Sequence, residues 1–192
     1  MSENAASPLR GLCYIADYLT PVTEALLLEA ADAHEWQMFV DHGVQVCGYH
    51  YNHGKREAYQ IGQLPVWAAE LARRLWREGI APDLPNQLVV NDYPIGRGIF
   101  PHIDPDAFGD VVISVSLGSS CVMRFSPVGS GVAEEHFLER RSVIVLSGDA
   151  RWNWTHEIPA RAVDNWGTDE RPRSRRVSLT YRFVPGPANL LA

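Results

Sequence analysis

The sequence predicts a mostly β fold with flanking α-helices: a β-sandwich or jelly roll with N-terminal helices packed on one outer face. Three observations carry that expectation. Helix signals precede residue 87, short β-rich runs follow it, and glycine- and proline-rich turn signals separate those runs. A chain of 192 residues suits one well-buried domain and is short for two.

In chain order, residues 1–9 read as a disordered start and residues 10–192 as one domain. Thr20-Pro21 has the cap and first-turn chemistry of a helix start, and Val22, Ala25, Leu26, Leu28 and Ala30 follow at helical spacing. Val44 to Tyr51 reads as a strand or hairpin arm. A second helix is expected from about Pro65, with Val66, Trp67, Leu71 and Leu75 facing inward and Gly79 as its stop. Strands are expected at Gln87 to Tyr93, Asp110 to Leu117, Cys121 to Phe125, Ser142 to Leu146 and Arg176 to Val184. Turn signals such as Pro94-Ile95-Gly96, Gly118-Ser119-Ser120 and Gly148-Asp149 divide them. Residues 162–175, rich in charge and turn formers, read as an exposed loop.

Net charge is -6, which argues against a protein that holds nucleic acid by bulk electrostatics. The two halves differ: residues 1–100 carry seven basic and twelve acidic side chains, residues 101–192 ten and eleven. Sixteen of the seventeen basic residues are arginine, whose planar fork suits carboxylate or phosphate, although composition bias would give the same count. Cys13, Cys47 and Cys121 form no C-x-x-C pair and read as small buried or half-buried residues. The start of the chain lacks a charged n-region and apolar h-region, and no apolar run is long enough for a membrane span. A cytoplasmic protein with no membrane contact and no obligate protein partner is expected.

Chemistry concentrates in Phe100-Pro101-His102-Ile103-Asp104 and in Trp154-Thr155-His156. Two imidazoles and one carboxylate are the set that binds iron(II) while leaving coordination positions open. Residues i and i+2 of an extended segment share a face, so His102 and Asp104 can converge, and Pro101 and Pro105 restrict their backbone. On spacing alone a surface H-x-D and a core histidine fit equally well. Arg176 and Arg182 flank an alternating strand and face the same side, where two inward arginines need anions to meet. Two solvent-facing arginines on an edge strand remain the alternative.

These pieces also resemble a family. Asn91-Asp92-Tyr93, His102-Ile103-Asp104, Val112 to Gly118, Gly148-Asp149-Ala150-Arg151 before His156, and Arg176-x5-Arg182 match in order and spacing the AlkB family of iron(II) and 2-oxoglutarate-dependent dioxygenases. Arg141 to Gly148 and Trp154-Thr155-His156 look most like the AlkB-like domain of tRNA wobble-uridine hydroxylases. The resemblance spans residues 10–184 and implies a double-stranded β-helix. It implies that His102, Asp104 and His156 bind iron(II), that Asn91, Tyr93 and Arg176 hold 2-oxoglutarate, and that Arg182 lies between the metal carboxylate and the cosubstrate. Oxygen would be the second cosubstrate. Asp106 falls where some members contact the target base, and Tyr49 in a lid that touches the substrate nucleotide. Tyr49 reads equally well as a core aromatic. Trp152 and Trp154 are candidate stacking surfaces that read more readily as core. Glu157 and Ser178 depart from the family's usual glycine and asparagine without removing a ligand.

The implied activity is oxidative demethylation or hydroxylation of a nucleobase in tRNA or single-stranded nucleic acid. An AlkB-like oxygenase acting on a protein side chain or small molecule, and a metal-binding jelly-roll module without turnover, are the alternatives.

Overall fold

The computed structural model describes residues 9–185, so the expected disordered start lies outside it except for Leu9, which is buried. The early elements are β1 (Leu12–Ile15), α1 (Pro21–Asp32), β2 (Gln37–Phe39), β3 (His42–Cys47), β4 (Tyr49–Asn52), β5 (Glu57–Gln60) and α2 (Val66–Arg77). Then come β6 (Gln87–Tyr93), β7 (Ile99–His102), β8 (Val112–Leu117), β9 (Cys121–Pro127), β10 (Glu134–Leu138) and β11 (Val143–Leu146). The chain ends through α3 (Gly148–Trp152), β12 (Trp154–Ile158), β13 (Val163–Trp166), β14 (Asp169–Pro172) and β15 (Arg176–Arg182).

A seven-stranded sheet in the order β1-β11-β8-β15-β6-β3-β2 faces a four-stranded sheet in the order β10-β9-β12-β7. From β6 onward the chain passes back and forth between the two, which is the double-stranded β-helix expected. Alternation along the strands decides which layer each side chain enters. Val177, Leu179 and Tyr181 of β15, with Leu88 and Val90 of β6, meet Leu27 and Ala31 of α1 and Leu71 and Leu75 of α2 in an outer core. Val112, Met123, Phe125, Ile144 and Leu146 fill the space between the sheets.

The helices start and stop as their sequence signals indicate. Thr20 caps α1 by accepting from the Thr23 amide at 3.1 Å, and Gly79 ends the α2 turn at φ +72. Their buried faces differ from expectation. In α1 the inward stripe is Glu24, Leu27 and Ala31, whereas Val22 and Leu26 are 70% and 59% exposed. Glu24 sets that rotation: it accepts from Arg140 Nη2 at 2.6 Å and from the Gly118 amide at 2.9 Å. In α2 the stripe is Ala68, Leu71, Ala72 and Leu75, with Val66 exposed and Trp67 half-buried. Cys121 is buried and Cys47 half-buried, but Cys13, on the edge strand β1, is exposed.

The stretch expected as an exposed loop contains the hairpin β13-β14. Asp164 anchors it from a fully buried position, accepting from both Nε and Nη2 of Arg173 at 2.6 Å, from Arg161 Nε at 2.7 Å and from the Val122 amide at 3.1 Å. No helix among the described residues is long and apolar enough to cross a membrane.

Candidate metal centre and adjoining cavity

Strand register brings the distant residues together. His102 ends β7 and stands directly opposite His156 of β12, with ring centroids 4.3 Å apart. Asp104 follows in the loop after β7, 3% exposed. The potential ligand atoms of the three residues lie within 4.8 Å of one another. The inward face of β15 lies beside them: Arg176, Ser178, Thr180 and Arg182 line one cavity together with Asn91, Tyr93, His102 and His156.

Protonation in this cluster favours metal capture. His102 Nδ1 lies 2.8 Å from the Phe100 carbonyl, which can only accept, so Nδ1 donates and Nε2 is the nitrogen left for a metal. Burial pushes the His156 pKa down to about 4, leaving a neutral imidazole at neutral pH. Burial alone would raise the Asp104 pKa, but the Arg182 guanidinium against it holds this carboxylate well below the usual range. Asp104 is in ion-pair contact with Arg182, yet neither of its buried oxygens has a well-aligned hydrogen-bond donor among the described residues. An ionised carboxylate with unbonded oxygens beside two imidazoles fits a divalent ion of intermediate softness.

The other end of the cavity fits an anion. Arg176 is 2% exposed and donates from Nη2 to Ser116 Oγ at 2.9 Å, while its Nε and Nη1 have no hydrogen-bond partner among the described residues. A buried guanidinium with two open donors matches a carboxylate gripped at two points. Of the two inward arginines expected to meet anions, Arg182 meets Asp104, whereas Arg176 has no carboxylate within 4.0 Å among the described residues. Tyr93 stands opposite Arg176 and Asn91 opposite Ser178 across the β6-β15 ladder. Burial raises the Tyr93 phenol to about 12, so it remains a hydrogen-bond donor, and His42 stacks behind its ring at 5.1 Å.

On the outer side, Asp106 is exposed and pairs with Arg56 of the β4-β5 hairpin at 3.0 Å. Tyr49 lines a separate groove with Leu64, Arg73 and Asn86 and does not line the metal cavity. Its neighbour Tyr51 packs on Phe108 at 5.7 Å, and Phe108 in turn lies 4.8 Å from the Arg182 guanidinium. Trp154 is buried, whereas Trp152 is 37% exposed beneath Arg151. Thr180 was not singled out from sequence, although the alternation that placed Arg176 and Arg182 inward also carries Thr180. Nothing local in the sequence marks Phe108 or Tyr51.

The sequence profile of the 2OG-Fe(II) oxygenase superfamily matches residues 11–182. An uncharacterized protein of Acanthamoeba polyphaga mimivirus is 32% identical, the alignment covering 93% of this chain and 87% of that protein. The Arabidopsis thaliana alkylated DNA repair protein ALKBH8 homolog is 33% identical over 91% of this chain and 58% of its own length. The Xenopus tropicalis tRNA (carboxymethyluridine(34)-5-O)-methyltransferase alkbh8 is 34% identical over 91% of this chain, which spans only 32% of that protein. Among solved structures, OsALKBH1 superposes with a TM-score of 0.63 at 16% identity, covering 90% of this chain and 96% of the other. A Pseudomonas putida prolyl-4-hydroxylase gives 0.59 at 15%, covering 91% and 93%. At such identity the likeness shows the fold alone.

Proposed function

The chain belongs to the 2OG-Fe(II) oxygenase superfamily, and from that premise we propose that it demethylates or hydroxylates a nucleobase in tRNA or single-stranded nucleic acid. One observation carries the oxygenase part: a two-histidine, one-carboxylate cluster opens onto the same cavity as a buried arginine with two free donors. The substrate class is supported by what the relatives' names say of those proteins.

In this reading His102, Asp104 and His156 hold iron(II), and Arg176, Asn91 and Tyr93 hold 2-oxoglutarate. Iron(II) bound there, with oxygen and 2-oxoglutarate, would supply an oxidant able to break a C–H bond, the cosubstrate leaving as succinate and carbon dioxide. The protein's own part is placement. Arg176 fixes the far carboxylate and so sets the reach of the keto acid towards the histidines. Arg182 keeps Asp104 ionised and turned towards them. Phe108, and Tyr51 upon it, close an apolar wall over Arg182 and limit water there. A carbon attached to nitrogen would be lost as formaldehyde after hydroxylation, and one attached to carbon would remain an alcohol.

A protein side chain or a small molecule is the second reading, favoured by the acidic balance of the chain. Succinate release with iron(II) and ascorbate, followed by mass spectrometry of nucleosides from tRNA and from methylated single strands, separates the two. A changed nucleoside in either pool is the expected result. Unchanged nucleosides in both, with succinate still released on a peptide or metabolite pool, would overturn the nucleobase reading.

A further inference from the structure

The largest fully buried side chain among the described residues is a cation without a carboxylate partner. Arg151 is 2% exposed and sits in α3, five positions before His156. Its guanidinium donates to four main-chain carbonyls of one short loop. Nη1 reaches Asp104 at 2.9 Å, Nη2 reaches Pro105 at 2.8 Å and Phe108 at 3.2 Å, and Nε reaches Gly109 at 3.3 Å. On its other side the guanidinium lies 3.9 Å from the Trp152 ring.

A guanidinium presents five N–H donors in a rigid fork, and four of them are committed to this loop. Buried carbonyls cost free energy when left without donors, so the loop's shape and the Arg151 fork specify one another. The loop starts at a candidate metal carboxylate, Asp104. It carries the exposed Asp106, which pairs with Arg56, and the buried Phe108, on which Tyr51 packs. The stretch from Gly148 to His156 therefore presents one ligand directly and grips the backbone of another.

We propose, on the oxygenase reading above, that Arg151 is a positioning residue of the metal centre: by holding the carbonyls of residues 104, 105, 108 and 109 it aims the Asp104 carboxylate at the ion. Metal affinity depends on it, and 2-oxoglutarate binding does not. Methionine at this position keeps the apolar stem and loses every donor. Lysine keeps the charge on a single nitrogen that cannot span the four carbonyls.

The test is a cobalt(II) titration of the metal-free full chain, read by visible absorption, which reports the coordination of the ion as well as its affinity. Leu27→Ala, in the outer core, serves as a variant that is merely less stable. Wild type and Leu27→Ala are expected to share one Kd and one absorption band. Arg151→Met should raise the Kd tenfold or more and shift the band, and Arg151→Lys should fall between. In iron-loaded enzyme the KM for 2-oxoglutarate of Arg151→Lys should stay within twofold of wild type. A wild-type Kd and band in folded Arg151→Met, or in Arg151→Lys should the methionine variant not fold, would overturn the proposal. No cobalt binding by the wild type would overturn the oxygenase reading beneath it as well.

Discussion

Asp104 and Arg176 show how two buried charges in one cavity can have different purposes. Asp104 has Arg182 against it and lies beside the His102 and His156 rings, a setting that suits a cation. Among the described residues Arg176 hydrogen-bonds one serine hydroxyl and otherwise lies over the Tyr93 ring, a setting that suits an anion. Substitution should separate them. His102→Ala removes a ligand and is expected to abolish retention of iron through gel filtration, whereas Arg176→Ala should retain iron and raise the KM for 2-oxoglutarate at least tenfold. That size follows from the loss of charge-assisted hydrogen bonds worth about 1.5 to 3 kcal/mol. Iron still bound to His102→Ala would remove that residue from the ligand set. That these side chains share one face is legible in the sequence, because a histidine two positions before an aspartate and two arginines six apart have defined faces on extended chain. The contacts of Arg151, which the sequence marks only as part of the Gly148 to Arg151 run, are not legible there, since its partners are main-chain carbonyls that no side-chain pattern announces.

At the scale of elements, the hairpin β13-β14 depends on one buried carboxylate. Asp164→Asn would leave Arg173, itself buried, without its charge partner, and breaking such a pair costs about 3 to 5 kcal/mol. Burial would raise the Asp164 pKa, but hydrogen bonds from Arg173 and Arg161 outweigh it and hold it below the usual value. The stabilisation is therefore complete above the unfolded-state pKa of about 4 and is lost as pH falls through the lower folded value. Urea midpoints should place the variant well below wild type at pH 7 and draw the two together in strong acid. A gap unchanged down to about pH 2 would show that the charge of Asp164 is not what secures the hairpin. This element was misread because aspartate, asparagine and glycine in a charged run are turn formers, and only burial distinguishes an anchor from a loop residue. The strands β6, β8, β11 and β15 are legible from β-rich runs divided by turn signals. The pairing of β7 with β12, which sets His102 against His156, is not, since register between segments more than fifty residues apart leaves no local trace. The face of α1 was missed for a related reason: Glu24 counts as polar until Arg140 is known to meet it.

For the whole molecule, net charge understates how little free positive surface there is. Twelve of the seventeen basic side chains lie within 4.0 Å of a carboxylate. Two of the others, Arg151 and Arg176, are buried. That leaves Arg10, Arg73 and Arg77 as cations without an ion pair among the described residues, too few to form a phosphate-binding track. On the proposed nucleobase reading, a single-stranded substrate would be held mainly by contacts to its bases, which salt screens weakly. Each neutralised phosphate contributes about 0.7 to the slope of log affinity against log salt for single strands. With about two such contacts, raising salt from about 50 to about 200 mM should weaken binding by roughly sevenfold, measurable by fluorescence anisotropy on a labelled oligonucleotide. A loss of a hundredfold or more would mean that pairs such as Arg56–Asp106 open when the strand arrives. Binding would then draw on charges that the free protein keeps neutralised against its own carboxylates, and the exposed position of that pair beside the metal loop makes it the first to examine by substitution.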